Sequence, residues 1–179
     1  IEDDSLKSDK ADKKLFSQFK KYKTFVAAST HESEELFAAK THILLKKKIK
    51  NIITIIIPRH INRVEQIISE MRGLGLKVAT RSSSKIILKN IDIFIVDTFG
   101  ESKKFYKFAT TVFLGKSLIK GGGQNPLEPA RFGTKILHGP GVDNFKDVYK
   151  YLRQLKISTE VSSPQKCASS IIFRKNMKK

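Results

Sequence analysis

The chain has 179 residues, 40% hydrophobic and 29% charged, which supplies one domain with a real core and is too apolar for a disordered segment. A single cysteine, Cys167, excludes an internal disulfide and a Cys-based zinc site, and no apolar run approaches the ~20 residues that span a bilayer. The formal net charge of +18 points to an anionic partner: nucleic acid, an anionic membrane surface or a small anionic substrate.

Residues 1–23 read as a polar lead-in containing one short helix over 13–21, with the domain running from 24 to 179. The first residues are acidic and lysine-rich rather than apolar, unlike a secretory signal. Thr24–Ala28 (TFVAA) predicts a buried strand. Ser29 and Thr30 offer caps for a helix beginning near His31, whose first turns carry Glu32, Glu34 and Glu35. Leu36, Ala39 and Ile43 fall on one face of it.

Ile52–Ile57 (IITIII) is a continuous β-branched run, as expected of a strand covered on both faces, and Pro58 stops it. Ile61, Val64, Ile67, Ile68 and Met71 keep helical spacing, closed by Gly73 and Gly75. Strands follow at Leu76–Thr80 and Ile91–Val96, with a short extra strand at Lys85–Leu88. Ser102–Ala109 predicts a helix and Thr111–Leu114 a strand. After a glycine-rich loop come a helix over Pro126–Phe132, a strand over Lys135–His138 and a helix set by Phe145, Val148, Leu152 and Leu155. A weak strand near Ser158–Val161 and a helix from Pro164 finish the order.

Such β–α–β alternation with apolar strands predicts an α/β fold, a Rossmann-like doubly wound parallel sheet. Ligands of these sheets bind at the carboxyl ends of the strands. Four loops open there: Ser29 to Glu32, Pro58 to His60, Asp97 to Glu101, and Gly115 to Glu128. Hydroxyls, helix N-termini and the guanidinium fork of Arg59 suit phosphate. Gly121, Gly122 and Gly123 permit close backbone approach, Asn125 can cap the following helix, and Glu128 can accept from a ribose diol. The glycines match neither G-x-G-x-x-G nor a P-loop, and His31, His60 and His138 are not spaced as metal ligands. The residues alone indicate a phosphate- or nucleotide-binding α/β domain.

The strings FVAASTHESEE (25–35), IIIPRHINR (55–63), DTFGE (97–101) and LGKSLIKGGGQNPLEPARFG (114–133), with GP at 139–140 and NF at 144–145, resemble the 3-deoxy-D-manno-octulosonic acid (Kdo) transferases of Gram-negative bacteria. These glycosyltransferases move Kdo from CMP-Kdo onto the lipid A precursor in lipopolysaccharide biosynthesis. The resemblance covers about 24–161 and implies the C-terminal, donor-binding half of a GT-B architecture. It implies that CMP is held by Pro58 and Arg59, by Phe99, Gly100 and Glu101, and by Asn125, Pro126, Leu127 and Glu128. Ser29, Thr30, Ser117 and Gln124 are implied neighbours of the donor.

The family usually carries Met where Phe99 stands, Gly where Lys116 stands, a basic residue or His where Gly121 stands, and His where Gly141 stands. The resemblance further implies no metal and no cofactor beyond the substrate nucleotide. It places the enzyme on the cytoplasmic face of the bacterial inner membrane, the fragment itself being soluble. The general base, membrane anchor and acceptor surface are expected on an N-terminal domain outside these residues, so no catalytic residue is expected in this chain. Two alternatives stand beside this reading: a remnant that keeps the fold without the activity, and a basic nucleic-acid-binding module. The latter is disfavoured because the lysines are scattered, apart from Lys46, Lys47, Lys48 and Lys50 and the terminal pair Lys178 and Lys179.

Overall fold

The computed structural model describes residues 2–173; the terminal pair Lys178 and Lys179 lies outside the described residues. Seven strands form one sheet: β1 Lys23–Thr30, β2 Ile52–Pro58, β3 Val78–Thr80, β4 Ile93–Ile95, β5 Thr111–Leu114, β6 Lys135–His138 and β7 Ser158–Glu160. Their order is β3-β4-β2-β1-β5-β6-β7, and every pairing is parallel. The chain winds outward from β1 in both directions, so the β1/β5 junction is the topological switch point, where ligands of such sheets bind.

The β2 run explains its central place. All seven of its residues are buried, as a strand with helices over both faces requires. Alternate residues feed two cores. Ile53, Ile55 and Ile57 join Phe94, Val112 and Leu114 on one face. Ile52 and Ile56 join Phe25, Ile67, Met71 and Phe113 on the other. The helices are α1 Glu2–Phe19, α2 Glu34–Lys46, α3 Val64–Gly73, α4 Ser102–Tyr106, α5 Leu127–Arg131, α6 Lys146–Gln154 and α7 Pro164–Ser170.

Three local expectations need correction. The N-terminal helix is not confined to 13–21; it begins at Glu2. Its C-terminal half is docked through buried Leu15 and Phe19, with Phe19 stacked on Phe108 at 5.2 Å and edge-on to Phe94 at 5.2 Å. A packed half-helix removes the nucleation cost, and the polar residues before it propagate at little cost. Lys85–Leu88 forms no strand. The side-chain amide of Gln18 takes over the ladder's role there, donating to the Ile86 carbonyl (2.9 Å) and accepting from the Leu88 N–H (2.9 Å).

Ser29 and Thr30 do not cap α2; they end β1, and Ser29 has φ 54°. The cap position falls to Ser33 without a side-chain bond, and the Glu34 carboxylate accepts the His31 N–H at 3.0 Å instead. Because α2 lies between the sheet and α7, its buried residues include Phe37, Ala38, Thr41, His42 and Leu45 together with Ala39, while Leu36 and Ile43 of the expected face are half-buried.

Candidate functional site

With all strands parallel, the loops after β1, β2, β4 and β5 share one edge. A cavity of ≈ 350 Å³ opens between them, lined by Ser29 from β1, Pro58 and Arg59 after β2, Thr98, Phe99 and Gly100 after β4, and Gln124, Asn125 and Glu128 after β5. Ile57, Ile61, Ser102, Tyr106, Leu114 and Pro129 complete the wall. Residues up to 100 positions apart are thus brought together by topology alone.

The glycine loop is built against protein. A Cβ on Gly122 would stand 2.1 Å from the Lys116 carbonyl oxygen, so only glycine lets these two backbone segments touch. The Gly123 N–H donates to the same carbonyl at 2.5 Å, and the Gly121 N–H donates to Asp143 at 2.7 Å. The triple glycine is therefore a fastened crossing, and the close backbone approach it permits at Gly122 is to the protein's own Lys116 carbonyl. Asn125 closes the turn into α5, its Oδ1 accepting from the Leu127 N–H at 3.0 Å. The Gln124 carbonyl accepts from the Tyr149 hydroxyl at 2.8 Å. The side of Gly115 is equally close-packed, since a Cβ there would meet the Ser29 carbonyl oxygen at 2.3 Å.

Glu34, read from sequence as a helix-dipole acid, does more. It is only 3% exposed, and its carboxylate accepts the N–H groups of Lys116 (2.6 Å), Ser117 (3.2 Å) and Leu118 (3.4 Å) besides that of His31. These charge-assisted bonds fix the start of the β5 loop. Glu35, fully buried, pairs with Arg63 at 2.7 Å and so ties α2 to the start of α3.

Several expected residues stand apart from the cavity wall. The Thr30 hydroxyl is buried and donates to Glu35 at 3.3 Å. The Ser117 hydroxyl is buried, donating to the Leu114 carbonyl (2.7 Å) and accepting from the Gly139 N–H (2.9 Å), so its one proton is spent on protein. Pro126 is buried, and Leu127 is exposed outside the lining. Glu101 faces the rear of its loop, where Arg81 above all, with Thr98 and Lys104, lowers its pKa to about 2.

Sequence reasoning missed Tyr106 and Ser102, although their i, i+4 spacing on α4 carried the signal. Burial, reinforced by the Glu128 charge, pushes the Tyr106 phenol up to about 12, so it stays protonated as a donor at the cleft floor. The rings of His31 and His60 meet edge-on at 5.6 Å on the rim. Among the described residues, no three His, Cys, Asp or Glu side chains gather as a metal-binding group.

No family model matches the chain. It is 30% identical over 139 residues to a 3-deoxy-D-manno-octulosonic acid transferase of Haemophilus influenzae, covering 78% of this chain and 33% of that protein. It is 31% identical over 160 residues to the enzyme of the same name from Rickettsia bellii, covering 89% and 38%. The C-terminal CMP-Kdo binding domain of WaaA from Acinetobacter baumannii shares the fold, with a TM-score of 0.80, 21% identity, and coverage of 92% of this chain and 84% of that one. The chain spans about a third of the length of the curated relatives it matches. Over most of its length the chain is similar in sequence to one part of the 3-deoxy-D-manno-octulosonic acid transferases, and its parallel sheet shares the fold of that CMP-Kdo binding domain.

Proposed function

We propose that this chain is the donor-binding part of a Kdo glycosyltransferase, holding CMP-Kdo in the strand-end cleft. One observation carries the reading: Pro58 and Arg59, Phe99 and Gly100, and Asn125 and Glu128 come from three separate loops and line one cavity. The chemistry of the wall suits a nucleotide monophosphate ester. Glu128 offers a carboxylate to a ribose diol, the exposed Phe99 ring offers a face for a base, and Arg59 offers a bidentate cation to phosphate. Helix α5 has five residues, so its dipole is little more than one turn's, and Arg59 supplies most of the positive charge.

In the proposed reaction an acceptor hydroxyl of the lipid A precursor attacks the anomeric carbon of Kdo with inversion. The bond from that carbon to the phosphate oxygen breaks, and CMP leaves with the electron pair. Arg59 stabilises the charge that develops on the departing phosphate. The hydroxyl proton goes to a general base outside this chain. The reaction would take place at the inner-membrane surface. Among the described residues no helix is long and apolar enough to cross a membrane, so the +18 charge is the feature of this chain suited to anionic lipid.

Calorimetric titration with CMP tests the reading. Saturable binding is expected, weakened at least about tenfold by Glu128→Ala or Arg59→Ala, the loss of one charge-assisted contact. Absence of binding up to millimolar CMP would refute the donor site. A second reading, a donor-binding fold that no longer turns over, is favoured by Lys116, a non-glycine residue held at φ 54° beside the cleft. Kdo transfer after supplying a relative's N-terminal half separates the two.

A further inference from the structure

We infer that Arg81 is a positioning residue for the cleft, with Asp12 on α1 as its anchor. The inference rests on the donor-site reading above. The 97–101 loop gives Thr98, Phe99 and Gly100 to the cavity, and Phe99 is 84% exposed. A loop whose largest apolar side chain lies in solvent is not held by its own burial; it is held from behind. Arg81, at the carboxyl end of β3, does not line the cavity, yet its Nε and Nη2 donate to the two carboxylate oxygens of Glu101 at 3.2 and 3.0 Å. The Thr98 hydroxyl donates to the same carboxylate.

The same Arg81 Nη2 reaches Asp12 Oδ1 at 2.5 Å, and Lys104 Nζ bridges Asp12 at 3.2 Å and Glu101 at 3.0 Å. Ser82 fastens the other end of the loop. Its N–H donates to Asp97 at 2.8 Å and its hydroxyl donates to the second oxygen of that carboxylate. Both ends of a loop that faces the cleft therefore terminate on one turn that does not.

This arrangement differs from an ordinary surface ion pair. The Arg81 side chain is 12% exposed, its guanidinium lies 5.9 Å from the Phe105 ring centroid, and its N–H donates to the Ile95 carbonyl at 2.9 Å. Bidentate geometry in a network of two acids and two bases is the case in which such pairs carry weight. Because Arg81 acts behind the loop, its loss opens the loop while the sheet stays intact. The cleft then binds in proportion to the fraction of molecules with the loop closed. Lysine retains the charge without the fork, so Arg81→Lys is expected to restore only part of the effect.

NMR-detected amide exchange on the full chain, joined to CMP titration, tests this. The Lys104 N–H donates to the Glu101 carbonyl at 3.0 Å, so it and the Ser82 N–H report on the two fastened ends. Arg81→Gln is expected to leave the loop mostly open, with exchange at both close to the unprotected rate and the amides of β1, β2 and β5 unchanged, and so to weaken CMP binding about tenfold as the closed fraction falls to about a tenth. Asp12→Asn is expected to do the same at smaller amplitude, and it stands in if Arg81→Gln fails to fold. Unchanged exchange at Ser82 and Lys104, or faster exchange with undiminished CMP affinity, would overturn the inference. If the unmodified chain binds no CMP, the donor-site reading fails by itself, and the exchange rates alone decide whether Arg81 holds the loop.

Discussion

Glu34 gives the sharpest test of how this cleft is built. Its buried carboxylate accepts four backbone N–H groups, three of them from residues 116–118. Glu34→Gln keeps the volume but replaces one acceptor oxygen by an NH₂ group. One N–H of the 116–118 run or that of His31 then faces a donor, and the remaining bonds lose their charge assistance. An orphaned buried donor costs about 1–3 kcal/mol, and bonds to a charged acceptor are worth about 1.5–3 kcal/mol against about 1 for neutral ones. Together these give a loss of about 2–4 kcal/mol. For a domain of this size that is a fall in Tm of roughly 4–16 °C. Urea unfolding measures it, with Glu32→Gln as the control. Glu32 is exposed, and that change is expected to stay within about 0.5 kcal/mol. A Glu34→Gln loss no larger than the control's would refute the view that this carboxylate organises the β5 loop.

Gly122→Ala places a Cβ 2.1 Å from a backbone oxygen and is expected to cost about 1–3 kcal/mol in urea unfolding. Lys116→Gly removes a left-handed non-glycine residue at φ 54°, relieving about 1–2 kcal/mol against about 0.5–1 kcal/mol of added chain entropy. A small net gain in Tm is expected, and a loss would show that the lysine side chain is itself holding the loop. Burial lowers the pKa of both His42 and His138 below the ordinary value of 6.5. The unfolded chain therefore takes up protons that the folded chain refuses, so stability is fully present above about pH 6.5 and falls as pH drops from there toward the folded pKa values. Thermal unfolding at pH 7.5 and 5.5 checks this, and an unchanged Tm would contradict it.

Much of the fold was legible because the strands announce themselves. Thr111–Leu114 and Lys135–His138 fall where the sequence puts them, and the IITIII run of β2 carries its burial in its composition. The strand-end edge followed from βαβ alternation alone, and with it the convergence of Ser29, Arg59, Phe99, Asn125 and Glu128. What stayed hidden is long-range. Nothing in the local pattern reveals that Gln18 satisfies Leu88 across 70 positions, or that Arg81 joins Asp12 across 69. The roles of Thr30, Ser117 and Glu101 were opaque for the same reason. A hydroxyl or carboxylate at a strand end reads alike whether it meets a ligand or a neighbouring loop, and only packing decides.

That ambiguity leads to an electrostatic point. The chain has 17 acidic residues against 35 lysines and arginines, and around the cleft several acids are spent on protein, while Glu128 faces the cavity. Glu34 and Asp143 accept N–H groups of the β5 loop, Asp97 accepts that of Ser82, Glu35 binds Arg63, and Glu101 binds Arg81 and Lys104. Carboxylates bound to backbone donors or guanidinium groups project little free negative potential toward the cavity. Among the described residues the Arg59 side chain has no such partner, and it lines the cavity as an unspent cation. Binding of the proposed sugar nucleotide, an anion, needs stiff loops and an unspent cation. Using acids as internal fasteners supplies both, so acidic residues can crowd the strand-end edge of a basic protein at the site where it is proposed to bind an anion.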